Sequence, residues 1–70
     1  MTGIEFLKPA DITVYENEEG MFPDIDHFNV GDRSDADIID DHEDGTVDLQ
    51  FGDGTVAFSV PKDLFKEVTL

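Results

Sequence analysis

Thr46-Val47-Asp48-Leu49-Gln50-Phe51-Gly52-Asp53-Gly54-Thr55-Val56-Ala57-Phe58-Ser59-Val60 is the stretch that decides the fold. Val47, Leu49 and Phe51 alternate with Thr46, Asp48 and Gln50. In a strand this puts the first three on one face and the second three on the other. After Gly52-Asp53-Gly54 the alternation resumes and places Val56, Phe58 and Val60 inward. Two alternating runs around a Gly-rich link predict a β-hairpin. Pro61 closes the second run, because proline has no N–H for the ladder. Pro61 to Phe65 then predicts a 3₁₀ turn, and Glu67 to Leu70 a last short strand.

Working upstream, Asp41-His42-Glu43-Asp44-Gly45 predicts a hairpin loop. Asp35 to Asp40 predicts a strand with Asp35 and Asp37 outward and Ala36 and Ile38 inward. Gly31-Asp32 is a turn. Met21 to Phe28 predicts either one helical turn or a packed loop. Asn17 to Gly20 is another turn, and Asp11 to Glu16 is a strand carrying Ile12 and Val14 on one face. Ile4 to Leu7 is a short apolar patch stopped by Lys8-Pro9. The whole predicts one mainly β domain over residues 1–70: a partly closed small barrel of about five short strands, with at most one or two helical turns. Residues 1–30 supply a strand-and-loop segment and residues 31–70 the hairpin region. Asp-Gly-Thr-Val occurs at both 44–47 and 53–56. Turn chemistry alone explains it, since Asp-Gly makes the turn and Thr-Val begins a strand.

Charge is the other strong signal. Eighteen acids against four bases give a net charge of −14 and a pI near 4.1. The charge is segregated: residues 11–53 hold fifteen acids and one base, Arg33, whereas Glu5, Asp63 and Glu67 balance Lys8, Lys62 and Lys66. The densest run is Asp32, Asp35, Asp37, Asp40, Asp41, Glu43, Asp44 and Asp48. A one-signed surface repels nucleic acid and anionic membrane and attracts basic surfaces. No apolar run approaches membrane-spanning length, and the first residues lack the basic head and apolar block of a signal peptide. With no cysteine, disulfides and thiolate zinc sites are excluded. The expectation is a cytoplasmic protein.

Chemistry finds little purchase. Asp40 to Phe51 offers Asp40, His42, Asp44, Gly45, Thr46 and Asp48 at calcium-loop positions, but position 3 is His and position 12 is Phe51 instead of Glu. His27 and His42 stand fifteen residues apart without ligand spacing, so no metal and no cofactor is expected; acids near each imidazole should raise its pKa. Ser34 and Ser59 lie in no nucleophile motif, and no Gly-rich phosphate loop exists, so the chain is not expected to be an enzyme. The expectation is protein binding through Asp24, Asp26, Asp32, Asp35, Asp37, Asp40, Asp41, Glu43, Asp44 and Asp48. Carboxylates at i and i+2 of a strand lie roughly 6.6 Å apart on one face, and a scaffold that holds them fixed lowers the ordering cost of binding.

Two resemblances add to this. The stretch FNVGDR…DHEDGTVDLQFGDGTVAFSVPKDLFKEV resembles an SH3-like small barrel, in which a "VGD" turn opens a strand, a "DG" hairpin follows and "VP..L" makes the 3₁₀ turn. It departs from that pattern at Arg33-Ser34-Asp35-Ala36-Asp37, where alternating apolar residues are usual. In size, pI, lack of cysteine and charge-segregated β-pattern the chain is also similar to small acidic phage-encoded DNA mimics, above all inhibitors of the bacterial nucleoid protein HU. That resemblance implies binding across HU's basic DNA-binding surface and competition with DNA. A symmetric acidic homodimer, joined through Phe22, Phe28 or a terminal strand, would suit such a two-fold partner. The competing expectation is a small acidic SH3-like adaptor that binds another protein without mimicking DNA.

Overall fold

The computed structural model describes all 70 residues. Seven strands form: β1 (Thr2–Phe6), β2 (Ala10–Val14), β3 (Asp24–Phe28), β4 (Arg33–Asp41), β5 (Thr46–Phe51), β6 (Val56–Pro61) and β7 (Phe65–Thr69). The one helical turn is a 3₁₀ turn at Lys62–Leu64. The expected mainly β class with little helix is borne out, with seven strands where the sequence suggested about five. No helix is long and apolar enough to cross a membrane.

The strands make a five-stranded antiparallel sheet, ordered β6-β5-β4-β1-β7, and a two-stranded ribbon of β2 and β3. A single bridge joins them: Tyr15 and Val56 exchange two backbone hydrogen bonds of 2.8 Å. The barrel therefore stays open. The core lies between sheet and ribbon. Ile4, Phe6, Ala36, Val47, Leu49, Val56 and Ala57 are almost fully buried, and Ile12, Val14, Phe51, Val60 and Phe65 complete it. Phe28 caps this core, stacked on Phe6 at 4.2 Å and facing Phe51 at 6.1 Å between ring centroids.

Four expectations are corrected. Ile38, expected inward on β4, is 37% exposed, next to the register shift between Ile38 and Asp40. Met21 to Phe28 contains neither a helical turn nor only a packed loop: its second half is β3, paired with β2 from Ala10↔Phe28 to Val14↔Asp24. Phe58, expected inward, is 38% exposed and packs against Tyr15 with centroids 5.4 Å apart. Asp48, expected on the open outer face, is only 8% exposed. The last two share one cause. The β4–β5 register shifts between Ile38 and Asp40, and the β5–β6 register shifts between Val47 and Leu49. Asp48 thus sits at the level of an irregularity in each neighbouring strand, and Ser59 takes a positive φ of 52° there. A bulge adds a residue on one side, bends its strand and re-aims side chains. Phe58 is swung outward, and Asp48 is covered from both sides.

Candidate functional site

The acids expected to bind a partner separate into two groups at opposite ends of β4. The first group surrounds the β4–β5 turn, and Asp41, Asp44 and Asp48 in it are satisfied internally. Asp41 accepts a 2.8 Å hydrogen bond from Lys62 Nζ and one of 2.9 Å from the Glu43 amide. Lys62 first and the Glu43 amide second hold its carboxyl below the usual range. Asp44 accepts from the Thr46 amide and hydroxyl at 2.9 and 2.6 Å, which lowers its pKa too. This is the Asp side-chain turn lock that makes Asp-x-Thr a turn signal. Glu43 stands at the turn with φ 61°.

Asp48 and His42 form the centre of that group. Asp48 Oδ1 accepts from the Ser59 amide at 2.9 Å and lies 2.7 Å from His42 Nε2. Burial pulls the Asp48 carboxyl upward, but the Ser59 amide and the His42 imidazole together hold it below its ordinary value. The Asp48 contact, reinforced by Asp40 and Asp44, raises the His42 pKa. His27 is raised likewise, chiefly by its 2.7 Å contact with Asp11. Both imidazoles therefore behave as expected from their neighbours.

Asp40, His42 and Asp48 each bring one ligand-type atom within 4.8 Å of the others. Their geometry is that of a bridge. Asp48 faces Nε2 at 2.7 Å, whereas Asp40 faces Nδ1 at 3.9 Å. The two ring nitrogens point away from each other, so these contacts do not converge on one ion. When protonated, the ring neutralises a buried carboxylate and offsets a second, exposed one. Sequence reasoning did not find this unit, because strand alternation puts Asp48 on the face opposite Val47 and Leu49.

The second group lies at the other end of β4 and is paired with no basic side chain. Asp24 and Asp26 sit on β3 opposite Val14 and Ile12. Cross-strand partners share a face, so both carboxylates occupy positions facing the same side as two buried core residues, yet both are exposed. Asp35 lies over Gly52: a Cβ built on that glycine would come 2.6 Å from Asp35 Oδ2. Only a residue without a side chain leaves the carboxylate this room, and the Gly52 amide also donates to the Asp35 carbonyl at 2.9 Å. Asp37 follows on the same face of β4, opposite Gln50. Asp53 joins them from the β5–β6 turn, its carboxyl locked to Thr55 and lowered by it; the sequence reading passed it over. Asp32 is apart from both groups, holding the Asn29 amide at 2.7 Å in the β3–β4 turn.

Three open hollows run along this second group. The first, about 340 Å³, is lined by Glu16, Asp24, Asp26 and Asp53. The next, about 390 Å³, shares Asp26 and Asp53 with it and adds Asp35, Phe28 and Phe51. The third, about 410 Å³, shares Asp35 and Phe51 with the second and adds Asp37. Together they make one groove with carboxylate walls and three phenyl rings, Phe22, Phe28 and Phe51, among its lining. No lysine, arginine or histidine lines it. Comparison of the chain with protein-family models, with curated proteins and with solved structures finds no match. The reading of this surface therefore rests on its own geometry.

All four bases are already engaged elsewhere. Lys8 pairs with Asp63 at 3.0 Å and Lys62 with Asp41 at 2.8 Å. Arg33 at 2.8 Å and Lys66 at 3.5 Å share Glu5. No basic side chain is left to neutralise the groove.

Proposed function

We propose that the protein is a DNA mimic: it presents fixed negative charges to the basic DNA-binding surface of a nucleoid-associated protein, HU being the partner the resemblance implies, and blocks that protein's access to DNA. The observation that carries this reading is the contrast between spent and unspent charge. Every basic side chain is held in an ion pair, while Asp24, Asp26, Asp35 and Asp37 stand on strands with no side-chain cation beside them. On each strand the two carboxylates are two residues apart, so strand geometry sets them roughly 6.6 Å from each other. A basic cleft built to hold regularly spaced phosphates meets a comparable row of anions here, already ordered.

The reading is tested by competition. A fluorescent duplex bound to purified HU should be released as the protein is added, with the effect falling steeply as salt rises, because screening weakens exposed charge pairs. Replacing Asp24, Asp26, Asp35 and Asp37 with Asn should abolish release and leave the fold intact. Unchanged release by a folded quadruple variant, or release indifferent to salt, would end the proposal.

A further inference from the structure

The groove is also the place where the fold leaves a strand unpartnered. The backbone–backbone hydrogen bonds of β3 all run to β2; beside them the Ile25 amide donates to the Asp24 carboxylate at 2.8 Å, and the other edge pairs with no strand. That edge belongs to the strand that contributes Asp24, Asp26 and Phe28 to the groove. Natural sheets protect such edges with charge, with brevity or with a covering segment. Here the protection is acidic, five residues long and open to solvent.

We propose that this groove receives an extended basic segment of the partner, laid along the free edge of β3 as an added strand. The proposal rests on the reading that the acidic surface meets a basic protein, and it specifies the shape of what is met: a protruding strand-like arm, not a flat face. Backbone groups of β3 supply the main-chain partners, as in other recognition by strand addition. Lysine or arginine heads meet Asp24, Asp26, Asp35 and Asp53. Their aliphatic stems, or an apolar residue between them, lie against Phe28 and Phe51, where a guanidinium also finds an aromatic face.

Charge selects this occupant over a second copy of the chain. Pairing β3 with β3 would bring Asp24 and Asp26 of one copy against those of the other, on molecules that each carry −14. Like charges directly opposite destabilise a strand pair. A basic strand turns the same four positions from repulsive to attractive.

The probes are three: a blocked eight-residue peptide alternating Arg and Val, a peptide of the same charge with Pro replacing Val, and spermine. The Arg-Val peptide should bind and move the backbone amide resonances of residues 24–28, 35 and 53. It should also slow hydrogen exchange along β3. The Pro peptide lacks the N–H groups that a ladder needs and should bind roughly tenfold or more weakly. The triple variant Asp24→Asn, Asp26→Asn, Asp53→Asn should weaken the Arg-Val peptide by a similar factor, whereas Asp41→Asn with Asp44→Asn should not. Equal binding of the Pro peptide, or spectral changes spread over residues 40–48, overturns the proposal in favour of unspecific attraction. The duplex-release assay separates this from the mimic reading. Release that survives in the folded triple variant removes the groove and keeps the mimic; peptide binding without any duplex release keeps the groove and removes the mimic.

Discussion

The two ends of β4 carry similar numbers of carboxylates and treat them in opposite ways. At the β4–β5 turn three of the four Asp have work inside the fold: Asp41 holds Lys62, Asp44 locks Thr46, and Asp48 is buried against His42 and the Ser59 amide. At the groove Asp24, Asp26, Asp35 and Asp37 line open space. Composition and local density do not distinguish the two: the densest run in the sequence, Asp32 to Asp48, supplies carboxylates to both ends. What separates them is the basic side chain: Lys62 and His42 stand among the acids of the turn, and none stands among those of the groove. Acidity in a sequence is therefore a poor measure of acidity offered to a partner.

The largest effect should come from the core that both ends share. Leu49→Ala, at a fully buried position, should cost about 2–5 kcal/mol in denaturant unfolding. Against that reference, Asp48→Ala should cost about 1–3 kcal/mol, since the Ser59 amide loses its acceptor. A groove-like response, with stability unchanged or raised, would erase the contrast drawn here.

A pH series sharpens it further. The His42 pKa is raised in the fold, so its contribution is fully present below the ordinary imidazole value of about 6.5 and is lost as pH rises through the higher folded value. The Asp48 pKa is lowered, so its contribution is present above the ordinary carboxyl value of about 3.9 and is lost as pH falls through the lower folded value. Thermal unfolding should show greatest stability between these limits. His42→Gln should flatten the alkaline arm more than His27→Gln does, because His27 pairs with an exposed Asp11.

The smallest effects belong to the groove. Each of Asp24→Asn, Asp26→Asn and Asp37→Asn should change stability by no more than about 0.5 kcal/mol, and toward greater stability as self-repulsion falls. Added salt should reproduce that gain in the wild type and give less of it in the combined variant.

The sequence made the β5–β6 hairpin legible because Val47, Leu49 and Phe51 recur at period two and Gly-rich turns flank them. It made the 3₁₀ turn after Pro61 legible for the same local reasons. β3 was hidden, since Asp24 and Asp26 occupy the positions where apolar residues would have announced a strand. The tie between Asp48 and His42 spans a turn, and the displacement of Phe58 depends on register shifts in β4 and β6; no window along one strand contains either. The candidate site was legible as charge but not as place: Asp53 and Glu16 join the groove only once the β5–β6 turn and the β2–β3 ribbon face each other.

The repeated Asp-Gly turns carry a consequence for the lifetime of the molecule. Among Asp-Xaa pairs, Asp-Gly is the one most open to spontaneous rearrangement, in which the glycine nitrogen attacks the neighbouring side-chain carbonyl and leaves an isomerised backbone. The protonated acid is the more reactive form. At Asp44-Gly45 and Asp53-Gly54 the threonine two residues on holds the carboxyl ionised and fixed in direction. The grip that shapes each bend should also slow its ageing, and Thr46→Val or Thr55→Val should let isoaspartate accumulate on storage.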